Sequence, residues 1–330
     1  MHTSRRRGPL GARTLVGAVA GLSVLLAACG SDETTSEPAS TGVPVTEAPA
    51  ATDPPSDPPA TAPSTAAELD GTIPERIVSL SPTHTEMLFA IGAGDLVVAI
   101  DDQSTYPPEA LELPNDLSGF EPNVEAIAGY DPDLVVIGGD FTGLGAQLDA
   151  LGIAWWDGPA AMTLDDTYRQ LEELGDVTGT ADAADALVTE MQVEIEEIVL
   201  ATPVPPEPLT FFHEIDPTLF SADSTTFIGE LYSLLGLRNV ADQAEGDSGG
   251  FPQLNAEFLV SANPDLIFLA DTKCCAETAE TVAARPGWET IAAVVDGNVF
   301  EMDDDVASRW GPRVVDYLRA VSDAIAQALG

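Results

Sequence analysis

Twice along this chain of 330 residues, a glutamate in a helical stretch is followed seven residues later by Pro-Asp-Leu and then by a short run of Val, Ile, Leu and Phe. The first copy, "PNVEAIAGYDPDLVVIGGD", begins at Pro122 and sets Glu125 seven residues before Pro132; the second, "PQLNAEFLVSANPDLIFLAD", begins at Pro252 and sets Glu257 seven before Pro264. A looser pair, "TEMLFAIGAGDLVV" and "GELYSLLGLRNVA", places Glu86 and Glu230 each six residues before a glycine, Gly92 and Gly236. Apolar runs of this length, bounded by turn residues, read as strands buried on both faces. Helix-strand units that recur in the two halves predict two related α/β lobes rather than one sheet.

The remaining segments fit that frame. "RIVSLS", "LVVAID", "DLVVIGG" and "IAWWDG" read as strands separated by helical patterns, an alternation that builds mainly parallel sheets. Pro203, Pro205, Pro206 and Pro208 then interrupt the chain, and "LTFFHEID", "DLIFLAD" and "NVFEMD" supply strands beyond them. From Ala181 to Leu200 there is no Pro or Gly, so this stretch reads as one helix joining the halves. The expected fold is α/β: two Rossmann-like lobes with mainly parallel sheets, joined by one long helix, with a ligand cleft between them. The expected divisions are a leader over 1–28, a linker over 29–72, an N-terminal lobe over 73–178, the connecting helix over 179–203 and a C-terminal lobe over 204–330.

The leader has Arg5, Arg6, Arg7 and Arg13 before an uncharged run from Leu15 to Ala28. That run is short of the roughly 20 apolar residues needed to span a bilayer, and it fits the core of an export signal. Leu26-Ala27-Ala28-Cys29 resembles the lipobox of bacterial lipoproteins, which implies cleavage before Cys29 and a lipid on it. Residues 30–72 contain eight prolines and no aromatic residue, Lys or Arg, a composition expected to remain disordered and act as a tether. The expected location is therefore extracytoplasmic, anchored to the cell membrane through Cys29.

Charge limits the partners. Without the leader, 8 Lys and Arg stand against 55 Asp and Glu, a net charge of −47. A surface this negative repels phosphate backbones, so nucleic acid is not an expected partner. The sequence contains no G-x-S-x-G, H-E-x-x-H or P-loop, so the expected role is not enzymatic. A secreted hydrolase is kept as a remote alternative.

Three stretches carry a family likeness: "RIVSLSPTHTEMLFAIGAGDLVVAIDDQSTYPPEA", "PNVEAIAGYDPDLVVI" and "SRWGPRVVDYL". Together they resemble the periplasmic-binding family that serves ABC importers of iron-siderophores, haem and cobalamin, over essentially all of residues 73–330. The resemblance implies a monomeric solute-binding protein that captures a metal chelate, a ferric siderophore or a cobalamin, and delivers it to a permease dimer, with no cofactor of its own. It also implies that one glutamate per lobe docks the permease, and Glu125 and Glu257 match those positions. Glu86 and Glu230 read instead as ordinary helix-face residues. A lipid-anchored receptor or sensor for haem or another ligand, coupled to no importer, is the alternative.

Loops that follow strands supply the candidate ligand contacts: Ser81, His84, Tyr106, Phe120, Phe251, Lys273, Arg309 and Trp310. Aromatic rings suit a large, flat or greasy ligand. Tyr106 and Phe251 stand beside prolines where the family places ligand-contacting aromatics. Phe141 and Phe220 are weaker candidates, and Trp155, Trp156 and Trp288 read as structural. His84 and His213 are the two histidines outside the leader. They are too few for a bare-metal site, which needs three or four ligands, so no metal site is expected. His213, inside a strand, reads as a core residue. Only Lys273 and Arg309 stand out as cations near the cleft, which favours a neutral or cationic chelate over an anionic catecholate, although Arg313 or Arg238 could also turn inward. With Cys29 lipidated, Cys274 and Cys275 remain, and outside the cytoplasm they are expected to form a vicinal disulfide. Free thiols or an intermolecular bridge are the alternatives.

Overall fold

The computed structural model describes residues 72–330 apart from Glu245 and Asp247. The leader, Cys29 and the linker up to residue 71 lie outside the described residues. The N-terminal lobe runs β1 (Ile77–Leu80), α1 (Pro82–Ala90), β2 (Val97–Ile100), α2 (Val124–Ala128), β3 (Leu134–Ile137), α3 (Leu144–Leu151), β4 (Ala154–Asp157) and α4 (Leu164–Thr178). After the connector α5 (Ala181–Ala201) come β5 (Thr210–Glu214), α6 (Phe227–Leu234), β6 (Arg238–Asn239), α7 (Ala256–Ala262), β7 (Leu266–Leu269), α8 (Thr272–Cys275), α9 (Ala279–Ala283), α10 (Ala292–Asp296), β8 (Val299–Glu301), α11 (Asp304–Ala307) and α12 (Val314–Leu329).

Each lobe is a four-stranded parallel sheet, ordered β2-β1-β3-β4 in the first and β6-β5-β7-β8 in the second. The orders correspond strand for strand, so the sequence repeat is a repeat of topology. All four residues of β1, β3 and β7 are buried, which explains their unbroken apolar runs. The strand β6 was not read from the sequence: it has two residues, Arg238 and Asn239, and no apolar run to announce it.

The Pro-Asp-Leu motif acts the same way in both lobes. Asp131 and Asn263, the residues before the prolines, turn the chain out of helical geometry at φ of 52° and 50°. Asp and Asn tolerate this left-handed region better than most residues. The motif aspartate then accepts from the backbone at the edge of the central strand next door. Asp133 takes the N–H groups of Glu75 and Arg76 ahead of β1, at 2.8 and 2.9 Å, and Asp265 takes the N–H of Thr210 at the start of β5, at 2.8 Å. The repeated sequence is therefore a clip that sets the register of neighbouring strands.

One apolar core crosses both lobes. It includes Met87, Leu88 and Trp156 of the first, Phe211, Tyr232 and Phe268 of the second, and Val188, Met191, Ile195 and Ile198 of the connector. Buried residues of α5 recur every three or four positions, and the helix packs on α4 and α12. Gly175 of α4 permits the close approach, because a Cβ there would lie 2.5 Å from Ala184 Cβ. A shared core and a single helical connector join the lobes. Among the described residues no helix is long and apolar enough to cross a membrane.

Candidate functional site

In parallel sheets the strands end where the chain must turn, and their carboxyl ends carry the loops that contact ligands. Here a cavity of about 440 Å³ opens at the ends of β1 and β3, against the segment Asp305–Trp310 of the other lobe. Ser81, Thr83, Asp101, Gly119, Phe120, Gly138, Gly139, Phe141 and Thr142 form the N-terminal wall, and Asp305, Ser308, Arg309 and Trp310 close it. Phe120 and Phe141 are 77% and 87% exposed, a large apolar area left open to water. Four of the main sequence candidates, Ser81, Phe120, Arg309 and Trp310, meet in this cavity with the weaker candidate Phe141. A hollow of about 510 Å³ lies along α1, α5 and the start of α12. It sits away from the strand ends, and its wall includes Glu109, Glu190, Glu194 and Asp316.

The structure removes His84 from the ligand-contact set. Its ring is fully buried, with Nδ1 2.7 Å from Ser81 Oγ and Nε2 2.9 Å from Gln170 Oε1. Gly158 makes room for it, since a Cβ there would approach Nε2 to 2.3 Å. Burial pushes its pKa down to about 4, only partly countered by the Gln170 hydrogen bond. It is a neutral strut, and Gln170 Oε1 also receives the indole N–H of Trp310 at 3.0 Å. The strut thus orients the cavity's aromatic wall from behind. His213 is likewise buried, 3.0 Å from the Tyr232 hydroxyl, with a pKa pushed down by burial to about 4.

Arg309 lines the cavity but spends its Nη groups on protein. Nη1 donates to Glu86 Oε1 at 2.8 Å, and Nη2 donates to the Gln103 carbonyl, Thr105 Oγ1 and Asp305 Oδ1. Arg313 donates to both oxygens of the same glutamate, at 2.7 and 2.5 Å. Glu86, read as a helix-face residue, is therefore buried at the lobe junction between two arginines, and that reading is corrected. Glu230 of α6 also crosses between lobes, accepting the Leu164 N–H at the start of α4 at 2.8 Å.

Three other candidates fall outside the cavity. Lys273 points to Asp303 and Asp305, at 2.5 and 3.0 Å, and is consumed by them. Tyr106 lies in the other hollow, under the guanidinium of Arg313 at 4.3 Å. Phe251 is exposed on the C-terminal lobe and does not reach the cavity wall. Cys274 and Cys275 are joined Sγ to Sγ in α8, and the backbone N–H groups of Thr272, Lys273 and Cys274 all donate to Asp304. Nearby, Asp271 is buried, and its carboxyl meets that of Glu214, with which it shares a hydrogen bond. Its burial, with the charges of Glu214 and Glu277, raises its pKa to about 7. Trp155, Trp156 and Trp288 are buried.

Glu125 and Glu257 occupy matched positions. Each is the second residue of its helix, after an asparagine that caps it: Asn123 Oδ1 accepts from Glu125 N and Ala126 N, and Asn255 Oδ1 accepts from Phe258 N. Both side chains are exposed, and neither carboxylate has a partner among the described residues. The loop leading into α2 contributes Phe120 and Pro122 to the cavity.

The sequence reading did not single out Asp101 or Asp305. Asp101 could have been found as the first residue past an apolar strand. Asp305, in a run of acids, carried no distinguishing signal.

Comparison with known proteins agrees with this architecture. The family described as periplasmic binding protein matches residues 77–306. Over 273 residues the chain is 30% identical to an uncharacterized ABC transporter substrate-binding lipoprotein of Bacillus subtilis, YvrC, spanning 79% of this chain and 83% of that one. It is 29% identical over 259 residues to a cobalamin-binding protein of Halobacterium salinarum, spanning 76% and 69%. The periplasmic haem-binding protein RhuT from Roseiflexus sp. RS-1, solved in apo form, matches with a TM-score of 0.69 at 25% identity, over 78% of this chain and 99% of that one.

Proposed function

The chain belongs to the periplasmic binding protein family, and from that premise we propose that it is the extracytoplasmic receptor of an ABC importer, held at the membrane by a lipid on Cys29. It captures a metal chelate, a ferric siderophore or a cobalamin, and hands it to the permease without catalysing a reaction. The observation that carries this reading is the pair of exposed rings, Phe120 and Phe141, set with Trp310 around a cavity at the strand ends between two lobes. Such rings are stable in water only at a cost that ligand burial removes.

The chemistry of the wall narrows the ligand. Among the described residues no imidazole, phenol or thioether lines the cavity, so it suits a metal whose coordination the chelator already fills, rather than haem seeking an axial ligand. Its one cation, Arg309, is held by Glu86 and Asp305, which disfavours a strongly anionic catecholate. Glu125 and Glu257, exposed at matched helix starts and without a partner among the described residues, are the charges a two-fold permease would read.

A thermal-shift comparison tests the ligand class. With cyanocobalamin or ferrioxamine B near 100 times Kd, binding stabilises by about 2.7 kcal/mol, a rise in Tm of about 5 to 10 °C for a body of this size. A rise with one assigns the class, and no rise with either removes both. Charge reversal at Glu125 and Glu257 is expected to abolish uptake and leave ligand affinity intact. Normal uptake by that double variant would remove the docking role.

A further inference from the structure

Among the described residues three charged side chains line the cavity, and two of them are committed. Arg309 is tied as described, and Asp305 accepts from Arg309 at Oδ1 and from Lys273 and Thr105 at Oδ2. Asp101 differs. It is 1% exposed, and Ser104 Oγ donates to its Oδ1 at 2.5 Å. The Ser104 backbone N–H also holds the carboxyl, and no side chain among the described residues donates to Oδ2.

The surroundings hold this carboxylate in place. Ser104 Oγ lies 2.9 Å from Thr85 Oγ1, which donates to Ser79 Oγ at 2.8 Å, a chain of buried hydroxyls behind Oδ1. On the other side stands Gly119, where a Cβ would come within 3.0 Å of Oδ2 and 2.5 Å of the Leu80 carbonyl. Glycine therefore keeps Oδ2 open to the cavity. An acceptor at the cavity wall loses its water when a ligand covers it, and a donor on the ligand offsets that cost.

We propose that Asp101 is a ligand-recognition residue, accepting a hydrogen bond from an N–H or ammonium group of the bound chelate. This rests on the reading of the cavity as a chelate site and adds a polarity to it: the chelate presents a donor toward β2. The charged groups that bear on Asp101 are Asp102, Asp305 and Arg309. Burial foremost, together with Asp102, raises its pKa to about 6 against the pull of Ser104 and Arg309. Recognition of a cation by it therefore strengthens as pH rises through that value.

Ferrioxamine B and its N-acetyl derivative differ by one ammonium group, and their affinities can be read by tryptophan fluorescence, since Trp310 stands in the wall. At pH 7.5 the native protein should prefer the ammonium form roughly tenfold to a hundredfold, less at pH 5. Asp101→Asn, nearly isosteric, should erase the preference and its pH dependence. Ser104→Ala keeps the carboxylate and loses the hydroxyl that favours its charged form, so the midpoint of the preference should move to higher pH. Should the protein bind cyanocobalamin alone, Asp101→Asn should weaken that binding roughly tenfold. An unchanged preference or affinity in Asp101→Asn overturns this role alone. Failure of the native protein to bind either chelate overturns the chelate reading, and this role with it.

Discussion

Arg313 of the C-terminal lobe grips Glu86 of the N-terminal lobe with two hydrogen bonds, Nε to Oε2 at 2.7 Å and Nη2 to Oε1 at 2.5 Å, around a carboxylate 3% exposed. Arg309 adds a third at 2.8 Å. The lobes thus close on a charge cluster as well as an apolar core. Removing one member of a buried ion pair strands the others, at a cost of roughly 3 to 5 kcal/mol. Glu86→Gln is expected to lose that much in urea unfolding. A loss below 1 kcal/mol would show that solvent reaches the cluster.

Asp271 carries an ionisation penalty in the folded state. Its folded pKa of about 7 lies above the ordinary 3.8, so the penalty is fully present above pH 7 and is relieved as pH falls toward 4. Asp271→Asn removes it and provides an amide that can donate to Glu214. The variant should be more stable at pH 8 by on the order of 3 kcal/mol, with the gain gone near pH 4. Parallel melting curves across that range would reveal a solvated carboxylate instead.

His213 has the opposite sign. Its pKa falls from 6.5 to about 4 on folding, so the unfolded chain binds the extra proton between those values and stability drops as pH falls through them. The slope from this residue is about 1.4 kcal/mol per pH unit. His213→Gln should flatten the stability profile by about that amount between pH 6.5 and 4, measured by urea unfolding at several pH values. An unaltered slope would mean that the ring already reaches water.

Phe120 and Phe141 contribute little to the core, so their alanine variants should unfold within about 0.5 kcal/mol of the native protein. Each should weaken chelate binding roughly tenfold, because a ring face that the ligand covers is lost. Reduced stability with unchanged affinity would make them packing residues.

What could be read from the chain alone is what depends on near neighbours in sequence. The buried strands, the helix from Ala181, the doubled lobe and the Pro-Asp-Leu clip all follow from backbone preference and apolar periodicity, which act over a few residues. The place of Phe120 and Trp310 in the cavity wall was legible because loops at strand ends recur in parallel sheets. The rest was decided by tertiary contact. His84 is a strut because Gln170, 86 residues on, takes its Nε2. Glu86 is buried because its arginines arrive from 223 and 227 residues away. Lys273 is consumed by acids about 30 residues further on, Asp303 and Asp305. A charged side chain's role depends on which partner reaches it and whether water is excluded there, and both are properties of the folded arrangement rather than of the local pattern.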